Sequence, residues 1–326
     1  VAALTRVAKT AAATLTHTFY AGTGTASEAA TDSTTTVTVA VTDANGTAVT
    51  SGNAAHGATG VYTFALPPQA NLALLTVAWS ATIATAAVVE KDLVEVVGGF
   101  FFTLTEGRAS DASLSDVTKY PWVDLACALT EVEVEAEWIC DRAFVPRYRR
   151  VLLDGSGSAS LTLPDPDVRT IRSVSVAPRA GQTFVALTGA QLAALVVKAD
   201  STLKRVDSNI WTEGDQNVVV EYEFGLDVPP IQLVKAAKTR FRSRLTFNKS
   251  AIPDRASSFT AADGGTYRIL LPDAFRTGIP EVDAAYSRYS RRVQANAGAD
   301  QGARYPASRT LNYDPQRNAL FHGGIR

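Results

Sequence analysis

Thr34-Thr-Thr-Val-Thr-Val-Ala-Val-Thr42, followed at once by Asp43-Ala-Asn-Gly46, decides how the first third of the chain is read. Polar and apolar side chains alternate with a period of two, the pattern of a strand with one buried face. Asn45 and Gly46 both tolerate positive φ, which marks a hairpin turn. Working outward, Gly60-Val-Tyr-Thr-Phe-Ala-Leu66, Ala73-Leu-Leu-Thr-Val-Ala-Trp-Ser80 and residues 88–97 repeat the strand signal, with turn chemistry at Pro67-Pro68. Several short strands within residues 14–98 predict an all-β, immunoglobulin-like sandwich. It contains no cysteine, so Trp79 is its expected core anchor, and residues 1–13 are read as an N-terminal segment preceding it.

Gly98-Gly99 marks a boundary, and Phe100-Phe101-Phe102 is costly to leave exposed, so it is expected to pack. A second, mixed domain over 99–293 follows. Asp116-Val-Thr-Lys-Tyr-Pro-Trp122 starts a helix with Pro121 in its first turn. Thr130 and Glu133 have capping-box spacing, so a new helix can begin there. Val132, Ala136, Ile139 and Ala143 fall on one helical stripe, while Glu131, Glu133, Glu135 and Glu137 load the other faces with negative charge, and Pro146 closes the run. Residues 148–153 and 158–163 flank Asp154-Gly-Ser-Gly157 as a predicted hairpin. Further strands are expected over 171–177 and 217–224, whereas 190–197 fits either a short helix or a strand. Pro229-Pro230 opens a helix with Ile231, Val234, Ala237 or Lys238, Phe241 and Leu245 on one stripe and Lys235, Arg240, Arg242 and Arg244 on a basic flank. Pro280 starts another helix running to about residue 293. Residues 294–326 cannot build a core of their own and read as an extended arm with apolar anchors at Tyr305, Leu311, Tyr313, Leu320, Phe321 and Ile325.

Of 326 residues, 46 % are hydrophobic and 19 % charged, which fits a folded α+β chain of two domains and neither wholesale disorder nor a membrane protein. Residues 1–13 lack the apolar core of a signal peptide, so export is not expected. Charge is polarised. Residues 1–110 carry four Lys/Arg against seven Asp/Glu, 111–229 eleven against eighteen, and 230–326 sixteen against seven. Such polarity orients association with a charged partner or lets copies of one chain stack head to tail.

Signals for catalysis are weak. No Walker loop occurs, and Gly22-Thr-Gly24 lacks the third glycine of a dinucleotide site. Gly155-Ser-Gly157-Ser sits in a predicted turn with no histidine nearby in sequence. Asp43-x-Asn45-Gly46 begins like a calcium loop but has no carboxylate at the twelfth position. His17, His56 and His322 are far apart, and Cys127 and Cys140 have no metal-site spacing. On one continuous helix the two cysteines would lie about 20 Å apart, beyond disulfide reach, and are read as small core residues. No cofactor or metal is expected. The basic helix could touch phosphates, but the acidic remainder disfavours a dedicated nucleic-acid binder.

An ordered set of segments resembles the head-to-tail connector, or adaptor, family of tailed bacteriophages. It comprises Ala126-Cys-Ala-Leu-Thr-Glu-Val-Glu-Val-Glu-Ala-Glu-Trp-Ile-Cys-Asp-Arg-Ala-Phe-Val-Pro146, then Leu152-Leu-Asp-Gly-Ser-Gly-Ser-Ala-Ser-Leu-Thr-Leu-Pro164, then Val168-Arg-Thr-Ile-Arg-Ser-Val-Ser-Val176. Val218-Val-Val-Glu-Tyr-Glu-Phe-Gly225 and Val228-Pro-Pro-Ile-Gln-Leu-Val-Lys-Ala-Ala237 continue it. Gly278-Ile-Pro-Glu-Val-Asp-Ala-Ala285, leading to Arg288-Tyr289, resembles the terminal helix in adaptors of phages of actinobacteria. The N-terminal sandwich departs from the minimal family pattern and looks like an added decoration. The resemblance implies a non-enzymatic virion protein: a homo-oligomeric, dodecameric ring in the virion neck, formed after assembly in the host cytoplasm. Its partners would be the portal protein, a head-to-tail stopper or tail-completion protein, and double-stranded DNA passing without sequence-specific binding; no membrane is involved. On that reading Glu131, Glu133, Glu135 and Glu137 are expected to face the lumen. Arg240, Arg242, Arg244, Arg291 and Arg292 are expected at a subunit or portal interface, and the arm is expected on the portal. The competing expectation is a tail-associated binding module whose sandwich recognises host-surface carbohydrate.

Overall fold

The computed structural model describes residues 4–20, 30–179, 181–247, 258–260, 266–268 and 275–291. The chain is α+β. Eight strands come first: β1 (Leu4–Ala8), β2 (Ala13–Thr18), β3 (Thr38–Thr42), β4 (Ala48–Asn53), β5 (Ala55–His56), β6 (Val61–Leu66), β7 (Ala73–Ile83) and β8 (Ala86–Val97). Helices α1 (Leu104–Ala109) and α2 (Trp122–Cys140) lead to β9 (Arg147–Gly155), β10 (Ser160–Thr162), β11 (Val168–Val176) and β12 (Val185–Ala186). After α3 (Gly189–Ala193) come β13 (Leu195–Val197), β14 (Thr202–Arg205) and β15 (Gly214–Phe224). Helix α4 (Ile231–Phe247), the short strands β16 (Ser258–Thr260) and β17 (Thr266–Arg268), and α5 (Pro280–Tyr289) complete the described elements. Two compact units interleave along the chain: residues 1–103 with 143–229, and residues 104–142 with 230–326. The sandwich and the later sheets, read from sequence as separate domains, therefore fall in one unit, and the long helices in the other.

In the first unit, a five-stranded sheet ordered β1-β8-β7-β3-β4 and a three-stranded sheet ordered β2-β6-β5 share one core. Alternation explains this: Leu75, Val77, Trp79, Ala81 and Ile83 on β7 point inward with Val39 and Val41 of β3, against Leu15 of β2 and Tyr62, Phe64 and Leu66 of β6. Trp79 is fully buried, as its expected anchoring place requires. The stretch read as an N-terminal segment contributes β1, which runs parallel to β8 with Val7 buried. The predicted hairpin forms between β3 and β4. Asp43 Oδ1 accepts from the amides of Asn45 and Thr47, both at 2.8 Å, and Gly46 takes φ +80°, which a side chain would strain.

A four-stranded sheet β12-β11-β15-β9 and a three-stranded sheet β10-β14-β13 share a second core around Trp211, Leu203, Val218, Val220 and Tyr222. The expected hairpin of 148–153 with 158–163 does not form. Instead β9 pairs with β15 and β10 with β14, so the Asp154 turn carries the chain from one sheet to the other. Gly155 is required there, since a Cβ would lie 1.7 Å from the Thr212 carbonyl oxygen. Buried Asn217 fixes the crossing by accepting from the Gly155 amide at 2.8 Å and donating to Thr212 O at 2.9 Å. The ambiguous 190–197 segment resolves into both options, α3 and then β13. Thr188 caps α3 with a capping box to Gln191. Phe101 and Phe102 are buried, Phe101 standing edge-on to Phe144 at 5.9 Å.

In the second unit, α2 runs unbroken from its N-cap Pro121, and no helix starts at Thr130. Thr130 Oγ1 instead donates to the Ala126 carbonyl at 3.0 Å, the mid-helix use of a hydroxyl. The helix stops at Asp141, whose φ of +52° is left-handed, so Ala143 lies beyond the stripe that was extended to it and Pro146 is not the terminator. On α4 the buried face is Leu233, Ala236, Ala237, Arg240, Phe241 and Leu245, while Ile231 is 71 % exposed. Helix α5 has Pro280 in its first turn, buries Val282 and Tyr286, and ends at Tyr289, short of the expected 293. Cys140 is buried and donates to the Tyr286 carbonyl at 3.4 Å, whereas Cys127 is exposed, against its reading as a core residue.

Candidate interaction surfaces

The helical unit sorts the four glutamates of α2 by angle. Successive residues are 100° apart around a helix, so alternate positions do not share a face. Glu133 falls beside Val132, Ala136 and Cys140 and is fully buried, which corrects its expected lumen-facing place. Glu135 is not free for a lumen either. Its two carboxylate oxygens accept from Arg240 Nε at 2.7 Å and Nη2 at 2.8 Å, and Arg244 Nη2 adds a third contact at 3.2 Å. Glu131 is 59 % exposed and lies 3.8 Å from Arg244, and Glu137 is half-buried.

The same pairs place the arginines. Arg240 is buried, with its guanidinium forked on Glu135 and Nη1 donating to Thr277 O at 3.4 Å, so it ties α4 to α2 and is not an outward interface group. Arg244 joins that network. Arg242 is exposed and donates to Asp111 Oδ2 at 2.9 Å. The Asp111 carboxyl is held down at about 2 by the Ser113 hydroxyl, Arg242 and the Ser113 amide. Arg291 follows α5 and is half-buried. Arg292, Tyr305, Leu311, Tyr313, Leu320, Phe321 and Ile325 lie outside the described residues. Burial pushes the Cys140 thiol up to about 12, and burial followed by Glu131 and Asp124 raises that of Cys127. Neither is an activated nucleophile.

In the first unit a polar seam joins the sandwich to the β9 sheet, and sequence reading missed it. Glu95 of β8 accepts from Arg6 Nε at 2.9 Å and lies 3.7 Å from Nη1 of buried Arg147. Asn45, at the hairpin tip, donates to Glu221 Oε1 at 2.6 Å and accepts from Arg150 Nε at 2.8 Å. Arg172 donates to Glu223 and to the Leu72 carbonyl and lies over the Tyr148 ring at 5.1 Å. Burial, then Glu221, raises the Tyr148 hydroxyl to about 12. A cleft of about 500 Å³ runs along this seam, lined by Leu74, Glu95, Tyr148, Arg149, Arg150 and Phe224 among others. Partners this far apart in sequence leave no local pattern; an Asn-Gly turn advertises its shape and not what it docks on.

The motifs weighed for chemistry have structural partners. Ser156 Oγ donates to Ser160 O at 2.7 Å within its turn, and Asp43 organises the hairpin. His17 lies between Asp92 and Glu90 of β8, at 2.8 and 3.0 Å, and stacks on Trp79 at 5.2 Å, tying one sheet of the sandwich to the other. Among the described residues no group of three His, Cys, Asp or Glu is placed to hold a metal, and no helix is long and apolar enough to cross a membrane.

No protein-family model and no curated protein matches the chain. Among solved structures, a chain from the neck of an empty gene transfer agent particle computed with C6 symmetry is 15 % identical, over 58 % of this chain and 89 % of that one, with TM-score 0.38. A chain from the neck of the native particle computed with C12 symmetry is 14 % identical, over 57 % and 87 %, with TM-score 0.38. A chain from the virion of the native gene transfer agent particle is 13 % identical, over 58 % and 89 %, with TM-score 0.39. Likeness at this level does not establish a shared fold.

Proposed function

We propose that the chain is a structural subunit of the head-to-tail neck of a phage-like particle, an adaptor that assembles as a ring beneath the portal and lets DNA pass to the tail. The supporting observation is the order of its parts. The segments that resemble the adaptor family fall on α2, on the end of β9 with β10, and on β11, β15, α4 and α5, with the expected hairpin replaced by strands of two sheets. On this reading the immunoglobulin-like sandwich decorates the ring, the ring is dodecameric, and the neighbours are the portal and a stopper or tail-completion protein. Glu131 and Glu137 keep the lumen role assigned to the acidic helix, while Glu133 and Glu135 are withdrawn from it. Residues 294–326 make the portal contact.

The test is a cryo-EM reconstruction of the neck of purified particles with no symmetry imposed in advance, this chain being traced into the density. The expected result is a ring of copies between portal and tail. Density confined to the tail tip would overturn it and favour the carbohydrate-binding alternative.

A further inference from the structure

Strand β8 turns two carboxylates toward the inside of the sandwich. Alternation puts Val88, Glu90, Asp92, Val94 and Val96 on its inner face, and Glu90 and Asp92 pair directly with buried Trp79 and Val77 of β7. Lys91, between them, falls on the other face. Partly buried carboxylates are costly unless they are hydrogen-bonded, and both of these meet the ring of His17. Its Nδ1 lies 2.8 Å from Asp92 Oδ2 and its Nε2 3.0 Å from Glu90 Oε2. The His17 side chain is 10 % exposed, stacked on Trp79 and edge-on to Phe19 at 4.8 Å, so packing holds the ring with a carboxylate at each nitrogen.

Two N···O contacts of this length need two hydrogens. An ionised carboxylate brings none, and a neutral imidazole brings one, on one nitrogen. With the ring neutral, the lone pair of its other nitrogen would face a carboxylate oxygen, and the two repel. The trio therefore holds one proton more than a neutral histidine and two carboxylates supply, and the three groups titrate as a unit. The neighbours do not change that count. Tyr62, directly across from His17 on β6, is buried with its hydroxyl accepting from the Ser33 amide at 2.9 Å. His56, next in that row on β5, is bound to Asp32 Oδ1 at 2.8 Å. Trp79 and Phe19 carry no charge.

We infer that this extra proton is a clasp that closes β2 on β8 and is released as pH rises, loosening the sandwich along that edge. The place suits a clasp, because β1 pairs with β8 over residues 93–97 and stops short of 86–92, the stretch that carries Glu90 and Asp92. In the opened form His17 is an ordinary histidine, which gives up its second proton near about pH 6.5. The closed form binds more protons than the opened one above that point, so its stability is full below about pH 6.5 and falls as pH rises. One proton makes the opening equilibrium up to about tenfold more favourable for each pH unit. What opens is a strand edge, and a free edge is able to pair with another strand. The clasp lies within the sandwich and does not depend on the ring reading above.

Hydrogen exchange of the full chain, read by mass spectrometry on peptides covering β2, reports this opening. Between about pH 6.5 and about pH 8.5 the protection factor, corrected for the intrinsic pH dependence of exchange, should fall by about tenfold or more. Glu90→Gln gives the test its edge, because the new amide donates to Nε2 while Nδ1–H donates to Asp92, and a neutral ring then satisfies both partners. That variant should keep β2 protected at the alkaline end and lose most of the fall. Asp92→Asn makes the same exchange at the other nitrogen and gives the same readout where Glu90→Gln folds poorly. His56→Gln is the control and should leave the fall unchanged. Protection that does not vary with pH in the unsubstituted chain, or that falls as steeply in the amide variants, would overturn the inference. A fall that disappears in His56→Gln would overturn it too, since the titrating group would then be the other histidine of the sheet.

Discussion

The sandwich and the helical layer solve the same problem differently. On β7 every second residue from Leu75 to Ile83 is buried and the intervening side chains lie nearer solvent, so one apolar face meets one opposing sheet and the account closes inside the chain. On α2 the apolar residues are spread around the helix, and after Leu129, Val132 and Ala136 are buried, Val123, Val134 and Trp138 are still exposed. A period of two gives a sheet two separable faces, whereas a helix with apolar residues on opposite sides needs two neighbours. The first region sorts its apolar residues onto one covered face; the second spreads them around a helix and leaves some of them at the surface.

That contrast can be broken most severely at Trp79. Trp79→Ala removes the centre of the sandwich core and the ring on which His17 stacks, and should destabilise the chain by about 3–5 kcal/mol, read from denaturant unfolding. In the helical layer Arg240→Ala should cost about 2–3 kcal/mol, because it leaves the largely buried Glu135 with Arg244 as its remaining arginine partner. The effect on the Asp111–Arg242 pair is smaller, since it sits at the surface. The Asp111 carboxyl falls from 3.8 to about 2 in the folded chain, so its contribution is present above pH 4 or so and is lost as pH falls toward 2. Asp111→Asn should flatten that part of an acid-unfolding curve and lower neutral stability by the same small amount, so that the two proteins converge near pH 2. Smallest of all is Trp138→Ala, which should move unfolding stability by no more than about 0.5 kcal/mol, as expected of an exposed side chain. A loss like that at Trp79 would mean that Trp138 is core and that the two regions are alike.

Legibility followed locality. The alternation in 34–42 and the Asn-Gly turn announced β3 and its hairpin, and Pro229-Pro230 announced α4. Thr130 and Glu133 carried the spacing of a capping box, but a threonine inside a helix can donate to the carbonyl four residues back, and that use prevailed. The Asp154-Gly-Ser-Gly157 turn was recognised, yet its flanking strands pair with β15 and β14, more than forty residues onward, and a turn does not name distant partners. The buried place of Glu133 and the Arg240 fork on Glu135 depend on where α4 lies against α2. No spacing within either helix encodes that.

The chain crosses between its units at 103/104, at 142/143 and at 229/230. A ribosome making this protein releases the sandwich first, but Glu95 waits for Arg147 and the Asn45 tip waits for Arg150 and Glu221 before the seam can close. Helix α2 waits longer still, for α4 and α5 more than ninety residues downstream. During synthesis the inward face of α2, with Leu129, Val132 and Ala136, thus stays uncovered until α4 and α5 have docked, which makes it the surface a nascent chain has to shield for longest.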